Sequence, residues 1–230
     1  MTPNLWSQLG KDIDGKSEGD FSGRSVSISD NGKIIAIGAD GNDGNGINSG
    51  HVRVFHYIND DWRQLGDDIH GEASYDNSGF STAISFDGKI VAIGAYANDG
   101  SDSIYQNAGH VRVYKYENTK WSKLGNDLNG KDGGDYFGYS ISLSDDGTVI
   151  AIGAYSNDDT AVNAGHVRVY QYINDDWSQL GKNINGENAW DYSGFSTAIS
   201  SDGTIVAIGG YSNDGGAENA GHVRVYQYIN

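Results

Sequence analysis

One long pattern is written four times in this chain. It opens with Trp-x-(Gln/Lys)-Leu-Gly and closes with Gly-His-Val-Arg-Val-(Phe/Tyr)-x-Tyr. The copies begin at Trp6, Trp62, Trp121 and Trp177, so successive starts lie 56, 59 and 56 residues apart. A fixed period of this length implies a solenoid, a propeller or an array. One unit cannot bury its apolar face alone and must stack on its neighbours.

Within a copy the periodicity is that of strands. In the first, Trp6 to Ile13 predicts a short strand. Arg24 to Ser29 then alternates, with Val26 and Ile28 on one face and Ser25, Ser27 and Ser29 on the other. Asp30-Asn31-Gly32 is a turn, matched by Asp87-Gly88, Asp146-Gly147 and Asp202-Gly203; Asp-Gly between apolar runs is a hairpin cue. Ile34-Ile35-Ala36-Ile37-Gly38 is apolar on both faces and must be covered on both sides. His51 to Tyr57 alternates again. No segment has a helical period. Four strands per repeat match one propeller blade, so the sequence predicts an all-β propeller of four four-stranded antiparallel blades. A single domain over 1–230 is expected, with repeats at 6–61, 62–120, 121–176 and 177–230.

The phase of the repeat predicts closure. The last strand, His222 to Tyr228, wants a Trp strand beside it, and the strand at Trp6 can supply one and remove an exposed edge. The alternative is that the chain is half of an eight-bladed ring made by two copies, so monomer and homodimer are both open. The 34 glycines against one proline, Pro3, suit tight turns between short strands.

The formal net charge of -16 repels polyphosphate, which argues against nucleic acid as a partner. Cations, cationic surfaces and neutral polar ligands remain. With no cysteine, disulfide and thiolate chemistry are excluded. No apolar run approaches the ~20 residues of a membrane-spanning helix, and no secretory apolar core follows Met1. The expected setting is the cytoplasm, or a mature form without its signal.

At Phe137-Gly138-Tyr139-Ser140-Ile141-Ser142 and Ile150-Ala151-Ile152-Gly153-Ala154 the repeat resembles the FG-GAP repeats of integrin-α-type β-propellers. The other copies follow it with Ser in place of the first Phe: Ser22-Gly23, Ser78-Gly79 and Ser193-Gly194. The resemblance covers almost the whole chain. It implies that the Val26, Thr82, Ile141 and Thr197 strands are innermost, followed by the Ile35-type, His-Val-Arg and Trp strands. It also implies ligands on the loop rim. Two departures stand out. The family's propellers have seven blades and this chain encodes four. The family's Asp-x-Asp-x-Asp-Gly calcium loop is here a tight turn such as Ser144-Asp145-Asp146-Gly147, too short to supply six to eight oxygens. No cofactor is expected, and calcium is not supported by turns this short.

A finer period runs beneath the fourfold one. Repeats one and three share Gly-Lys (Gly15-Lys16, Gly130-Lys131), whereas two and four share Gly-Glu (Gly71-Glu72, Gly186-Glu187) and Gly-Phe-Ser-Thr-Ala-Ile-Ser from Gly79 and Gly194. The unit of duplication is thus a pair of blades.

Two loop sets fall on one rim, where function usually resides. The inbound loops align Asp20, Asp76, Asp135 and Asp191; the second loops align Asp43, Asp99, Asp158 and Asp214, each preceded by Asn. They offer a ring of carboxylates and amides to a cation or polar ligand. Asx side chains also hold turns, and residues repeated in every blade usually serve the blade. Tyr75 and Trp190 break the symmetry, because repeats one and three have Gly19 and Gly134 there. Aromatics in polar loops can stack on sugar rings or on partner side chains. An expansion around Ser101 to Gln106 is a third local difference. His51, His110, His166 and His222 begin strands of separate blades and cannot meet at one ion, so no metal site is expected. No nucleophile–base pair or phosphate loop is present. The expectation is a non-enzymatic binding or scaffold propeller presenting an acidic rim to a protein or glycan. The alternatives are a glycan hydrolase using rim carboxylates and a purely structural repeat protein.

Overall fold

The computed structural model describes residues 5–99 and 106–229. Among these residues there is no helix, and the strands form four antiparallel sheets in chain order. The first blade is β1 (Ser25–Ile28), β2 (Ile34–Ala39), β3 (His51–Ile58) and β4 (Asp61–Gln64), side by side in that order. Its outer strand is interrupted: β4 pairs with Phe55–Ile58, and the two-residue β5 (Ile69–His70) pairs with His51–Val52. The second blade repeats this with β6 (Ser81–Ile84), β7 (Ile90–Ala95), β8 (His110–Glu117), β9 (Lys120–Lys123) and β10 (Leu128–Asn129). The third has β11 (Ser140–Leu143), β12 (Val149–Ala154), β13 (His166–Ile173), β14 (Asp176–Gln179) and β15 (Ile184–Asn185). The fourth has β16 (Ser193–Ile199), β17 (Ile205–Gly210) and β18 (His222–Gln227) alone. The strand order expected from the family resemblance is the order observed.

The β1–β2 turn is built by its own side chains. Ser29, Ser85, Ser144 and Ser200 each donate a hydroxyl to Asn31, Asp87, Asp146 and Asp202, and each accepts the N–H of the residue that opens the next strand. The glycine that follows takes a left-handed φ of 68–74°. At the position of the family's calcium loop, these side-chain oxygens are thus already engaged by the turn.

β7 and β12, each lying between two blades, are covered on both sides, as their unbroken apolar runs require, whereas alternate residues of β17 stay partly exposed. Ala36, Val52 and Val54 pack on Val91 and Ile93, with Trp121 against them. Val113 and Leu128 pack on Ile150, Ile152 and Trp177. Val149, Val167 and Val169 pack on Val206 and Ile208. Each buried valine, leucine or isoleucine here contributes about 1.5–3 kcal/mol on burial. Gly38, Gly94 and Gly153 permit the close approach, because a Cβ there would overlap the carbonyl of Gly79, Gly138 or Gly194 of the next blade.

The structure corrects the expected ends. Residues 5–13 form no strand, and Trp6 is fully exposed. The Leu9 carbonyl instead accepts the Trp62 indole N–H at 2.8 Å, which seats this segment against the first blade. β18 has no partner on its outer edge among the described residues. The inner strands pack in succession, β1 on β6, β6 on β11 and β11 on β16, and the pairing of the Trp6 segment with β18 that the repeat phase predicts is not seen among the described residues.

Candidate functional site

The inbound loops and the β2–β3-type loops share one rim, and their aligned acids do turn work. Asp20 is buried and accepts the N–H groups of Lys16 and Ser17, while Asn42 donates its amide to the other oxygen. Asp135 takes the N–H of Asp132 and the Asn157 amide. Asp76 takes the N–H of Ala73, and Asp191 those of Glu187 and Asn188. Burial pushes the carboxyls of Asp76 and Asp135 up, and these hydrogen bonds oppose the push. The exposed acids of the second loops behave alike: Asp43, Asp99, Asp158 and Asp214 accept the N–H groups of Asn48, Asn107, Asn163 and Asn219 at 2.6–3.0 Å. All eight carboxylates lie on the rim, each already holding backbone. Of the loop expansion, residues 101–105 lie outside the described residues.

Tyr75 and Trp190 stand differently. They are 58% and 53% exposed. Both have left-handed backbones, φ 71° and 67°, in a turn where the other two blades use Gly19 (φ 85°) and Gly134 (φ 81°). The turn is fixed by the same hydrogen bond in each case: the N–H of Tyr75, Gly134 and Trp190 donates to Ile47, Gln106 and Val162. A bulky residue in this region costs about 1–2 kcal/mol that glycine does not. At this turn the second and fourth blades thus carry an exposed ring that the other two lack, while the first blade has a further exposed left-handed ring in Phe21 (φ 53°, 69% exposed) two residues after Gly19. Beside Gly134 the ring is absent and the two loops leave a polar cleft between Asp132, Tyr136, Asn157 and Asp158.

An aromatic band, which the loop-by-loop reading of the sequence missed, runs across the second to fourth blades and reaches Trp190 at one end. Phe80 and Tyr139 precede β6 and β11, Phe195 lies near the start of β16, and Tyr96, Tyr155 and Tyr211 follow the second strands. Each pair meets across its hairpin, with ring centroids 4.4, 4.5 and 4.6 Å apart. Neighbouring blades connect through Phe80–Tyr139 at 4.8 Å and Tyr139–Phe195 at 5.0 Å. Tyr136 stacks on Tyr155 and Tyr192 on Tyr211, and Trp190 lies edge-on to Tyr192 at 6.2 Å. In the first blade Arg24 continues the band, its guanidinium 4.3 Å above Phe80 and 3.5 Å from Asp40. Burial raises the phenols of Tyr96, Tyr139, Tyr155 and Tyr192, so they stay neutral hydroxyls at ordinary pH. The signal was present in the register: Ser81 faces Gly94, which brings residues 80 and 96 together.

The strand histidines are buried structural groups in the first three blades. Burial holds His51 and His166 down to about 4 and His110 down to about 3. Arg53, Arg112, Arg168 and Arg224 donate to the carbonyls of Asp14, His70, Asn129 and Asn185, tying each third strand to the segment that precedes its blade's inbound loop. In the fourth blade the ligand atoms of Glu187, Asp191 and His222 lie within 4.8 Å of one another. Asp191 there already accepts two backbone N–H groups.

Residues 12–55 and 129–170 match the FG-GAP repeat family. The chain therefore carries FG-GAP repeats, and the matched stretches are its first and third copies. No curated protein matches it by sequence. Among solved structures it is similar to a candidate 6-phosphogluconolactonase from Bacteroides uniformis, with a TM-score of 0.59 and 12% identity over 90% of this chain and 54% of that one. It is also similar to hydrazine synthase of Kuenenia stuttgartiensis, with a TM-score of 0.50 and 12% identity over 89% and 45%. The chain thus spans about half the length of these structures, and the likeness is one of fold. No helix among the described residues is long and apolar enough to cross a membrane.

Proposed function

We propose that this FG-GAP propeller is a non-catalytic binding module that takes a neutral glycan along its loop rim. The observation that carries this reading is the pair of exposed aromatics, Tyr75 and Trp190, held in a left-handed turn where glycine serves the fold better. Backbone strain that packing does not repay is a mark of a functional position. The half-buried rings of Tyr192, Tyr155, Tyr136 and Tyr96 extend the platform from Trp190 with rigid faces and neutral hydroxyls. Sugar C–H faces stack on such rings, and sugar hydroxyls pair with the amides and carboxylates beside them. The net charge of -16 and the exposed acids favour neutral over anionic glycans.

Binding rather than hydrolysis is supported by the state of the inbound-loop acids. Asp76 and Asp191 are buried and engaged by backbone N–H groups, so neither is free to act on a glycosidic bond. A glycan array with the wild-type chain tests the reading. Retention of neutral oligosaccharides with little signal on sulfated or uronic acid glycans is expected. No binding to any neutral glycan would overturn it.

A further inference from the structure

We propose, resting on the glycan reading above, that the cleft beside Gly134 is its principal subsite and seats one neutral pyranose ring where the fourth blade places the ring of Trp190. The cleft lies in the third blade, between the inbound loop and the β12–β13 loop, and encloses about 620 Å³. That volume falls within the roughly 300–1,000 Å³ of small-molecule clefts.

The chain supplies its own comparison. The turn is the same in both blades: Gly134 donates its N–H to Gln106, and Trp190 donates to Val162. Two residues on, Tyr136 stacks on Tyr155 with ring centroids 5.5 Å apart, and Tyr192 stacks on Tyr211 at 5.1 Å. In the fourth blade the Trp190 ring stands edge-on to Tyr192 at 6.2 Å. In the third, a Cβ built on Gly134 meets nothing within 4 Å, and Tyr136 lines the open cleft. A flat ring brought by a ligand therefore finds beside Tyr136 the contact that Trp190 makes with Tyr192. The other two blades offer no such place. In the second, Tyr75 occupies the turn and Asn77 replaces the tyrosine. In the first, the Phe21 ring leans over Gly41, whose counterpart Ser156 lines the cleft in the third.

The polar groups of the cleft suit hydroxyls. Its buried side is braced: Asp135 accepts the Asn157 amide at 2.9 Å, and the Asn157 side-chain oxygen accepts the Asp159 N–H. These bonds fix the two loops against each other before a ligand arrives, which lowers the entropy cost of binding. Asp158 gives one carboxylate oxygen to the Asn163 N–H at 2.6 Å and keeps the other for a ligand donor. Asp132 is exposed beside it, and the neighbouring Lys131 is held by Asp159 at 3.1 Å. Accepting carboxylates beside a tyrosine ring match a neutral sugar and repel a sulfated or uronic acid residue. The wall of the cleft also leads to Trp190. Asn163 lines the cleft and its carbonyl accepts the Tyr192 N–H, while the adjacent Val162 carbonyl accepts that of Trp190. A sugar seated in the cleft thus has its neighbour within reach of the exposed Trp190 ring, so the ligand class is an oligosaccharide of at least two residues.

Calorimetric titration with gluco-, manno- and galacto-oligosaccharides of one to four residues tests this on the wild type, Gly134→Trp, Gly19→Trp and Asp158→Asn. Trp190 already holds a left-handed backbone at this turn, and a Cβ on Gly19 or Gly134 meets nothing within 4 Å, so the tryptophan variants are expected to fold, as checked by circular dichroism. The wild type is expected to bind two residues more tightly than one. Gly134→Trp fills the cleft and is expected to weaken binding at least about tenfold, while Gly19→Trp in the first blade leaves it unchanged. Asp158→Asn keeps an oxygen for the Asn163 N–H and is expected to weaken binding at least about threefold, which keeps the test open should Gly134→Trp unfold. If exposed rings alone carried binding, Gly134→Trp would add one, and binding would hold or strengthen. That result, or undiminished binding by Asp158→Asn, would overturn the subsite and leave the glycan reading intact. A wild type that binds none of the series would also overturn the subsite, and a blank glycan array beside it would mark the failure as that of the glycan reading.

Discussion

Tyr75 and Trp190 cost the fold something that Gly19 and Gly134 do not. Replacing both by glycine relieves about 1–2 kcal/mol of left-handed strain at each site, against about 0.5–1 kcal/mol for the looser unfolded chain. The Trp190–Tyr192 contact is also lost. The double variant Tyr75→Gly/Trp190→Gly is therefore expected to keep a Tm within about 3 °C of wild type by calorimetry. A large fall would mean that these rings support the blade. At this scale the sequence was informative only where symmetry broke. Tyr75 and Trp190 could be found because glycine occupies their places in the alternate repeats. That Asp20, Asp76, Asp135 and Asp191 are buried and bonded to nearby N–H groups depends on loop closure, which alignment of repeats does not reveal. The aromatic band was hidden for a similar reason, since Phe80 and Tyr96 become neighbours only through the β6–β7 register.

At the scale of the element, one motif has two fates. Trp177 belongs to an outer strand, is buried between blades and donates to Leu124. Trp6, in the same five-residue sequence, is fully exposed. Trp177→Ala should destabilise the chain by about 3–5 kcal/mol, read as a shift of the urea midpoint. A loss below about 1 kcal/mol would contradict the packing described. The strands themselves were legible from alternation at Val26–Ile28, from the two-faced apolar run at Ile34–Gly38 and from the Asp-Gly turns. The expected strand at Trp6 to Ile13 failed for a physical reason. A strand needs an edge to pair with; β3, β8 and β13 are already paired on theirs, and among the described residues the Trp6 segment does not pair with β18.

For the whole molecule, the buried histidines set an acid limit. Their folded pKa values, about 4 for His51 and His166 and about 3 for His110, lie below the unfolded value near 6.5. As pH falls below about 6.5 the unfolded chain takes up protons that the folded chain refuses. Stability is thus full above about 6.5 and is lost toward pH 4, at about 1.4 kcal/mol per pH unit for each such histidine. Asp76 and Asp135 act in the opposite sense, because their raised carboxyls protonate first in the folded state and blunt the loss at the acid end. Thermal melts from pH 8 to 4.5 should show a plateau and then a steady decline below about 6.5. A flat profile would contradict the burial of these rings. The repeat period made the four blades legible, and the two-blade alternation survives in the structure as Tyr75 and Trp190 at the turn where the other two blades have Gly19 and Gly134.

The most direct test of the account is binding by the Tyr75→Gly/Trp190→Gly chain to whichever neutral glycans the wild type retains, measured beside its melting curve. The account predicts that binding falls at least about tenfold while the fold persists, since each stacked ring contributes about 0.5–1.5 kcal/mol beyond its buried area. Undiminished binding by a folded double variant would contradict it.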